Sequence, residues 1–475
     1  MTAHPSPTPL DIGSRLELFV DDYLIERLEG AQLRLHHPRR AGVALAMDQP
    51  WEGILSLHFT VLKDGDTYRM YYRGWPQKPG VKTNEPDQHQ PVTCYAQSAD
   101  GIHWDRPDLG LHELFGRRDN NIVLAQPRAT TQRFSPMLDT RAGVPAAQRF
   151  KGMGGNSRTG LFLYVSGDGI HWERMGTGMV AEGFAFDSQN TVFWSEHESL
   201  YICFFRSMKE IDGERIRWIS RTVSEDLTQW EPAEEMDFGE APAEHLYTNQ
   251  TVPYFRAPHI YIGTAARFMP ERWALTPEQE KAIDLHNPHN YDGLPGALSD
   301  TVLLTSRGGC RYNRTFLESF VRAGEDARDW VARSNYPALG VVPTGDREMS
   351  LYVHRHYGQP STYLERLSLR TDGFASLHAG FPAGDMVTRP LIFNGREMAL
   401  NFATSAAGGI RVEVEDVAGR PLAGFELEQC QELIGDEVER VVRWEAGSDL
   451  GALIGTPVRL RLRLADADLY SMRFR

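Results

Sequence analysis

One phrase occurs three times: SADGIHWDRP from Ser98 to Pro107, SGDGIHWERM from Ser166 to Met175, and the more divergent SEDLTQWEPA from Ser224 to Ala233. Each copy follows an apolar, strand-like run (TCYAQ, LFLYV, RWISRTV) and sets Ser, Asp, a tight turn and Trp at fixed offsets. The Ser and Asp side chains can bond turn amides, Gly supplies a positive φ, and Trp packs back onto the apolar layer. This is a repeated β-unit ending in a locked corner. The copies begin 68 and 58 residues apart, room for about four short strands with their loops, as in a propeller blade. SRGGCRYNRT, Ser306 to Thr315, is a degenerate fourth echo.

Taken in order, the chain fits five such units. LELFVDDYLIE, Leu16 to Glu26, is strand-like, and in a closed ring an N-terminal strand often completes the last blade. HFTVLKDGDTYRMYYRGW, His58 to Trp75, reads as a hairpin around DGD. The second unit opens with FSPMLDT, Phe134 to Thr140, and the third with FDSQNTVFW. The fourth follows with LYTNQTVPYF and HIYIGTAARF, then an insertion, Met269 to Leu298, expected to overhang one face of the ring. The fifth is ALGVVPTGDREMSLYVHRHYG with YLERLSLRTDGFASLHAG, ending near Gly380. Beyond it the corner phrase is lost and alternating strands with Gly- and Asp-rich turns suggest a β-sandwich. The expected fold is therefore all-β, with a five-bladed β-propeller over residues 1–380 and a β-sandwich over 381–475.

A length of 475 residues with 41% hydrophobic and 10% aromatic content is that of a globular protein with a large core. The net charge of −14, with no basic block to offset it, argues against nucleic acid or an anionic membrane as partner. No window approaches a membrane span, and the opening MTAHPSPTPLDIGSR has neither the basic nor the apolar part of a secretory signal, so a cytoplasmic location is expected. The four cysteines, Cys94, Cys203, Cys310 and Cys430, stand far apart without metal-ligand spacing and read as buried thiols. No cofactor is expected. The architecture leaves room for a structural calcium or sodium ion in the channel, though no ligand spacing demands one.

In a propeller the starts of the inner strands ring one mouth of the central funnel, and the second strand of each blade runs back to that mouth. The strand starts offer Glu52 or His58, Asp139, Asp187 with Gln189, Tyr247 with Asn249, and Asp346 with Glu348. The returning ends offer Arg73, Arg206, Arg267, His354 and His356. Converging carboxylates and arginines suit glycoside cleavage, which needs one carboxylic acid to protonate the leaving oxygen and one carboxylate as nucleophile or activator of water. Trp51, Trp75, Tyr247 and Phe268 would present faces to sugar C–H surfaces. The expected catalytic set is Asp187, Glu52 and Asp139, with Glu348 in reserve. Arg73, Arg206, Arg267, Gln189, Tyr247, Asn249, His356 and Trp75 are expected to bind substrate.

The stretches LFVDDYLIE, DGIHW, FDSQNTVFW and HLYTNQTVPYFRAPHIYIG, with the tail from GDEVERVVRWEAG onward, resemble bacterial proteins grouped with the five-bladed propeller glycoside hydrolases. Invertases, levansucrases and arabinanases are similar at the level of fold. The resemblance implies a funnel with three acidic residues from the early blades. The WMNDPNG-type, RDP and EC motifs of invertase-like proteins do not occur; WEG at Trp51 to Gly53 and FSPMLDT stand at the corresponding places. The sequence thus points to a glycoside hydrolase acting on a glycoside or oligosaccharide. Two alternatives stand beside it: a non-hydrolytic carbohydrate-binding propeller, and a lyase or phosphorylase for an anionic sugar, which the arginines motivate.

Overall fold

The computed structural model describes residues 8–76, 90–125, 131, 133–176, 186–283 and 296–475. It forms two compact units, Pro38–Ser368 and Met1–His37 with Leu369–Arg475.

The unit Pro38–Ser368 is a ring of five antiparallel blades. The first three have four strands each: Leu57–Asp64, Thr67–Gly74, Val92–Ser98 and Ile122–Leu124; then Ser135–Leu138, Phe150–Asn156, Gly160–Ser166 and Glu173–Arg174; then Thr191–Ser195, Leu200–Ile211, Glu214–Ser224 and Glu234–Glu235. The fourth blade has Leu246–Tyr254, Ala257–Met269 and Leu298–Ser306. The fifth has a broken inner strand, Tyr336–Pro337 and Val342–Pro343, followed by Glu348–Arg355 and Tyr363–Arg370. Its outermost position is filled by Arg39–Ala46, so the ring is closed by a strand from the start of the chain.

That closing strand is not LELFVDDYLIE. Glu17–Leu18 and Ile25–Glu29 pair instead with Arg459–Phe474 and Gly384–Thr388 of the other unit. ASLHA, read as the end of the fifth blade, also belongs there, between Ala31–Leu35 and Arg459–Phe474. The compact units therefore divide at 37/38 and 368/369, not at 380/381. The second unit is made from both ends of the polypeptide, and its eight-stranded sheet is threaded by two long strands, Met398–Glu415 and Arg459–Phe474. Its core holds Phe19, Leu400, Phe402, Leu462, Leu469 and Phe474.

The repeated phrase makes the same corner each time. Ser98 Oγ accepts from the amide of Gly101 at 2.8 Å, and Asp100 Oδ1 from those of Ile102 and His103 at 2.7 and 2.8 Å. Ser166 with Asp168, and Ser224 with Asp226, repeat the pattern. Gly101, Gly169 and Leu227 take φ of 72°, 76° and 69° at the position that requires it. Each of the first two corners also receives a tyrosine from the preceding blade. The Tyr71 hydroxyl donates to Gly169 O at 2.9 Å, and the Tyr352 hydroxyl of the fifth blade donates to Gly101 O. Trp172 adds an edge contact to Tyr71 across the same boundary and one to Phe134 within its own blade. The phrase is an inter-blade clasp.

Gly169 is fixed twice over, by its left-handed backbone and because a Cβ would meet the Tyr71 hydroxyl at 2.5 Å. Gly169→Ala is expected to cost about 1–3 kcal/mol, read as a lower denaturant midpoint at unchanged slope. An unchanged midpoint would show that the clasp has slack.

At the centre, the first and fifth inner strands bond directly, Val61 N to Leu339 O and Leu339 N to Phe59 O, each at 2.8 Å. Gln189 Nε2 donates to Thr60 Oγ1 at 2.9 Å and Gln250 Nε2 to Gln189 Oε1 at 3.0 Å. Together these links tie the first, third, fourth and fifth blades near the axis. In the insertion after Met269, a short helix, Pro277–Ala282, starts at a capping box of Thr276 and Gln279; residues 284–295 of that insertion lie outside the described residues.

Candidate functional site

The register fixes one mouth of the ring. Leu57 pairs with Arg73, Ser135 with Met153, Thr191 with Phe204, Leu246 with Arg267 and Tyr336 with His354, so inner-strand starts and second-strand ends meet there. The third blade reaches further than the others, because its second and third strands are 12 and 11 residues long against five in the inner strand. Arg206 thus stands two residues beyond the inner strand, where it ion-pairs with Asp187. Met208 pairs with Arg217, two places along from the Arg206–Ile219 pair, so Arg206 and Arg217 share one face.

Tyr247 is the hub of this wall. A register shift between Leu246 and Thr248 re-aims it, and the guanidinium carbons of Arg206, Arg217 and Arg333 lie 4.7, 5.1 and 5.8 Å from its ring centroid. Phe268 and Tyr336 lie 5.5 and 5.3 Å from the same ring. Arg217 also covers Phe268 at 4.8 Å, and Arg73 covers Trp75 at 5.3 Å while donating to Leu55 O.

His58 connects this wall to the first blade. It shares one recess with Gln189, Thr248, Gln250 and Tyr336, and an adjoining one with Arg73 and Arg133. His58, Arg133 and Arg333 all hold left-handed backbones, with φ of 59°, 56° and 66°. Such conformations cost non-glycine residues about 1–3 kcal/mol each and gather where function needs a fixed geometry.

The field at this wall is one-sided. Burial, then Arg73, Arg133, Arg206 and Arg333, drive the His58 imidazole well below its ordinary range, so it stands neutral. Burial followed by Arg73 pushes Arg133 down to about 10. Burial would raise the Tyr247 phenol, but Arg333, Arg206 and Arg217 outweigh it and lower it. Among the groups that dominate the field at His58, Arg133, Arg217 and Tyr247, the one carboxylate is Asp187.

A tyrosinate absorbance step is therefore expected below the ordinary tyrosine value of about 10, and Tyr247→Phe should remove it. The lowered folded pKa contributes stability above the unfolded value, which is lost as pH falls through the folded one. A spectrophotometric titration with the same lowest step in both proteins would contradict this.

Of the expected residues, Asp187, Arg73, Arg206, His58, Tyr247, Phe268 and Trp75 come together at this mouth, and Gln189 lies below them as part of the axial tie. Glu52, Asp139, Glu348, Arg267, Asn249, His356 and Trp51 do not. Glu52 is fully buried inside the first blade, where it accepts from the Tyr72 hydroxyl, from Arg106 Nε and Nη2 and from the Gln49 amide. Asp139 follows the inner strand Ser135–Leu138 instead of preceding it, so it sits at the opposite end, bonded to Lys151 and the Tyr201 hydroxyl. Glu348 begins the second strand of its blade, which also places it at the opposite end, paired with Arg366.

Arg267 alternates with Phe268 and faces the other way, to Asp300 and Glu244 in a separate groove of about 580 Å³. Asn249 donates to the Tyr312 hydroxyl within the fourth blade. His356 turns outward to Ser361, with Nε2 3.2 Å from Asp326. Trp51 is held by Asn121 and packs inside the first blade.

Sequence reasoning misses Arg133, Arg217 and Arg333. Arg133 is legible in principle as the residue before FSPML, once the strand's leading end is chosen. Arg333 precedes an inner strand that begins at Tyr336, earlier than ALGVVP suggests. Arg217 needs the register of the long hairpin. Among the described residues, no three or more His, Cys, Asp or Glu gather as a metal site, and no helix is long and apolar enough to cross a membrane.

Fold and site together define a five-bladed propeller whose inner mouth, among the described residues, is an arginine- and aromatic-lined wall with Asp187 as its ion-paired carboxylate. No protein-family model matches the sequence, and no curated protein matches it. Similar solved structures include a complex of BT0996 with RGII, at 12% identity, TM-score 0.48, covering 71% of this protein and 93% of that one. A β-1,2-mannobiose phosphorylase from Listeria innocua matches at 12% identity and TM-score 0.43, over 69% and 94% of the two proteins. A fructofuranosidase from Schwanniomyces occidentalis complexed with fructosylnystose matches at 11% and 0.38, over 92% and 96%. These are likenesses of fold.

Proposed function

We propose that the protein is a carbohydrate-active enzyme that acts on a glycoside or oligosaccharide at this mouth, with Asp187 as the carboxylate that meets the substrate. One observation carries the reading. Asp187 alone of the four expected carboxylates stands at the mouth, its side chain 42% exposed, beside Tyr247 and the aromatic faces around it. Bond cleavage at a sugar needs an anionic group as nucleophile or base and a proton carrier at the leaving oxygen. Asp187, ion-paired through one oxygen, suits the first role. The Tyr247 hydroxyl, made more acidic by Arg333, Arg206 and Arg217, suits the second.

The burial of Glu52 and the placement of Asp139 and Glu348 at the far end favour one other reading, a propeller that binds saccharide without cleaving it. The two separate in one experiment. Wild type and Asp187→Asn are incubated with a panel of neutral and anionic oligosaccharides, binding is measured by calorimetry, and products are sought by chromatography. Turnover by the wild type alone supports the enzyme. Binding by both proteins with no product supports the lectin-like reading.

A further inference from the structure

We propose that the ligand of this mouth carries a fixed oxyanion, a carboxylate, sulfate or phosphate, clamped by Arg73, Arg133 and Arg206. The proposal deepens the carbohydrate reading and rests on it for the rest of the ligand. Among the described residues, five guanidiniums, those of Arg73, Arg133, Arg206, Arg217 and Arg333, surround Tyr247 and His58, and Asp187 is the carboxylate set against them. Nε and Nη1 of Arg206, and Nε of both Arg73 and Arg133, are buried donors with no hydrogen-bond partner among the described residues. Arg206 as a whole is 7% exposed. Buried guanidinium donors are kept paired unless something else completes them.

The rest of the propeller shows that pairing is its habit. Arg106 stands with Glu52, Arg221 with Glu198, Arg267 with Asp300, Arg314 with Glu244 and Arg355 with Glu365. Among the described residues of the propeller, the surplus gathers at the mouth. It also runs against the protein as a whole, whose net charge is −14, so a cationic focus in an acidic protein marks the place where an anion is drawn in.

Beside the Asp187–Arg206 pair, aromatic rings help the cluster hold together, since Tyr247, Phe268 and Trp75 lie against Arg206, Arg217 and Arg73. The planar forks are thereby left aligned for bidentate contact with an oxyanion. His58, neutral and with Nδ1 unpartnered among the described residues, adds a group that does not repel one. The hydroxyls of a neutral sugar can accept from these donors but leave their positive charge unbalanced.

The test is calorimetry on the full-length protein with four probes: neutral oligosaccharides, hexuronic-acid oligosaccharides, sulfated oligosaccharides, and inorganic phosphate alone. Each is measured at low and high salt, for wild type, Arg133→Gln and Arg133→Lys. An anionic probe is expected to bind, to weaken with salt, to lose about tenfold or more in Arg133→Gln, and to recover in part in Arg133→Lys. It should also move the Tyr247 absorbance step to higher pH, which a merely structural role for Arg133 would not do. Preference for an oligosaccharide over inorganic phosphate assigns the charge to the sugar. Enhancement of saccharide binding or turnover by phosphate assigns it to a free anion.

Neutral sugars bound or cleaved as well as their charged counterparts, with Arg133→Gln indifferent, would overturn the clamp and leave the carbohydrate reading standing. Binding of phosphate with no saccharide bound would do the reverse. Failure of every anionic probe to bind or to move the absorbance step overturns the clamp as well.

Discussion

Asp187→Asn is expected to lower turnover by about a hundred- to ten-thousand-fold on whichever saccharide the wild type cleaves, while binding is kept or strengthened. The separation follows from the surroundings. Asparagine keeps the shape and one carbonyl oxygen toward Arg206, but it removes the negative charge that, among the described residues, Asp187 sets against the guanidiniums of the mouth. The wall becomes more cationic, so a charged ligand is held at least as well while the group that would attack or accept a proton is gone. Because the Asp187 side chain is 42% exposed, its ion pair contributes at most about 1 kcal/mol to stability, and the variant should melt close to the wild type. Steady-state kinetics read beside a thermal scan check this. Full activity would remove Asp187 from the reaction.

Glu52→Gln should behave in the opposite way, with a loss of about 3 kcal/mol or more in stability and no selective loss of ligand binding in the molecules that remain folded. Glu52 has no exposed surface and receives four donors, from Tyr72, from two nitrogens of Arg106 and from the Gln49 amide. A carboxylate has acceptor sites for all of them. A glutamine has one acceptor oxygen and turns an NH₂ group toward donors, so at least one buried contact becomes repulsive and Arg106 loses its counter-charge. Urea unfolding of both proteins decides it. An unchanged midpoint combined with lost turnover would return Glu52 to the site.

These contrasting carboxylates show what can be read in the chain. The corners are legible because Ser, Asp, Gly and Trp act within a few residues of one another, and the five-blade ring follows from their spacing. The mouth is legible too, since antiparallel geometry brings Asp187 to Arg206 and Leu57 to Arg73. Facing is harder. Arg267 and Phe268 are neighbours on opposite sides of one strand, and a register shift decides where Tyr247 points. Asp139 and Glu348 lie at the end opposite to the expected one because a short strand does not announce its direction relative to the axis. Glu52 reads as a mouth residue because the partner that buries it, Arg106, lies 54 positions along the chain. Long-range pairing likewise hides Arg39–Ala46, whose partner strand is Tyr363–Arg370.

The inter-blade clasp has a temporal side. The corner of the second blade can receive Tyr71 as soon as its own residues are made, since donor and acceptor are 98 positions apart. The corner of the first blade must wait for Tyr352, 251 positions later, and the strand Arg39–Ala46 waits longer still, for Tyr363–Arg370. During synthesis the first blade therefore leaves the ribosome with its corner unclasped and with an edge-forming segment still unpaired, while the blades after it are completed in turn. The oldest part of the nascent ring is the last to be finished, and a polypeptide stalled before the fifth blade carries its open edge at the front.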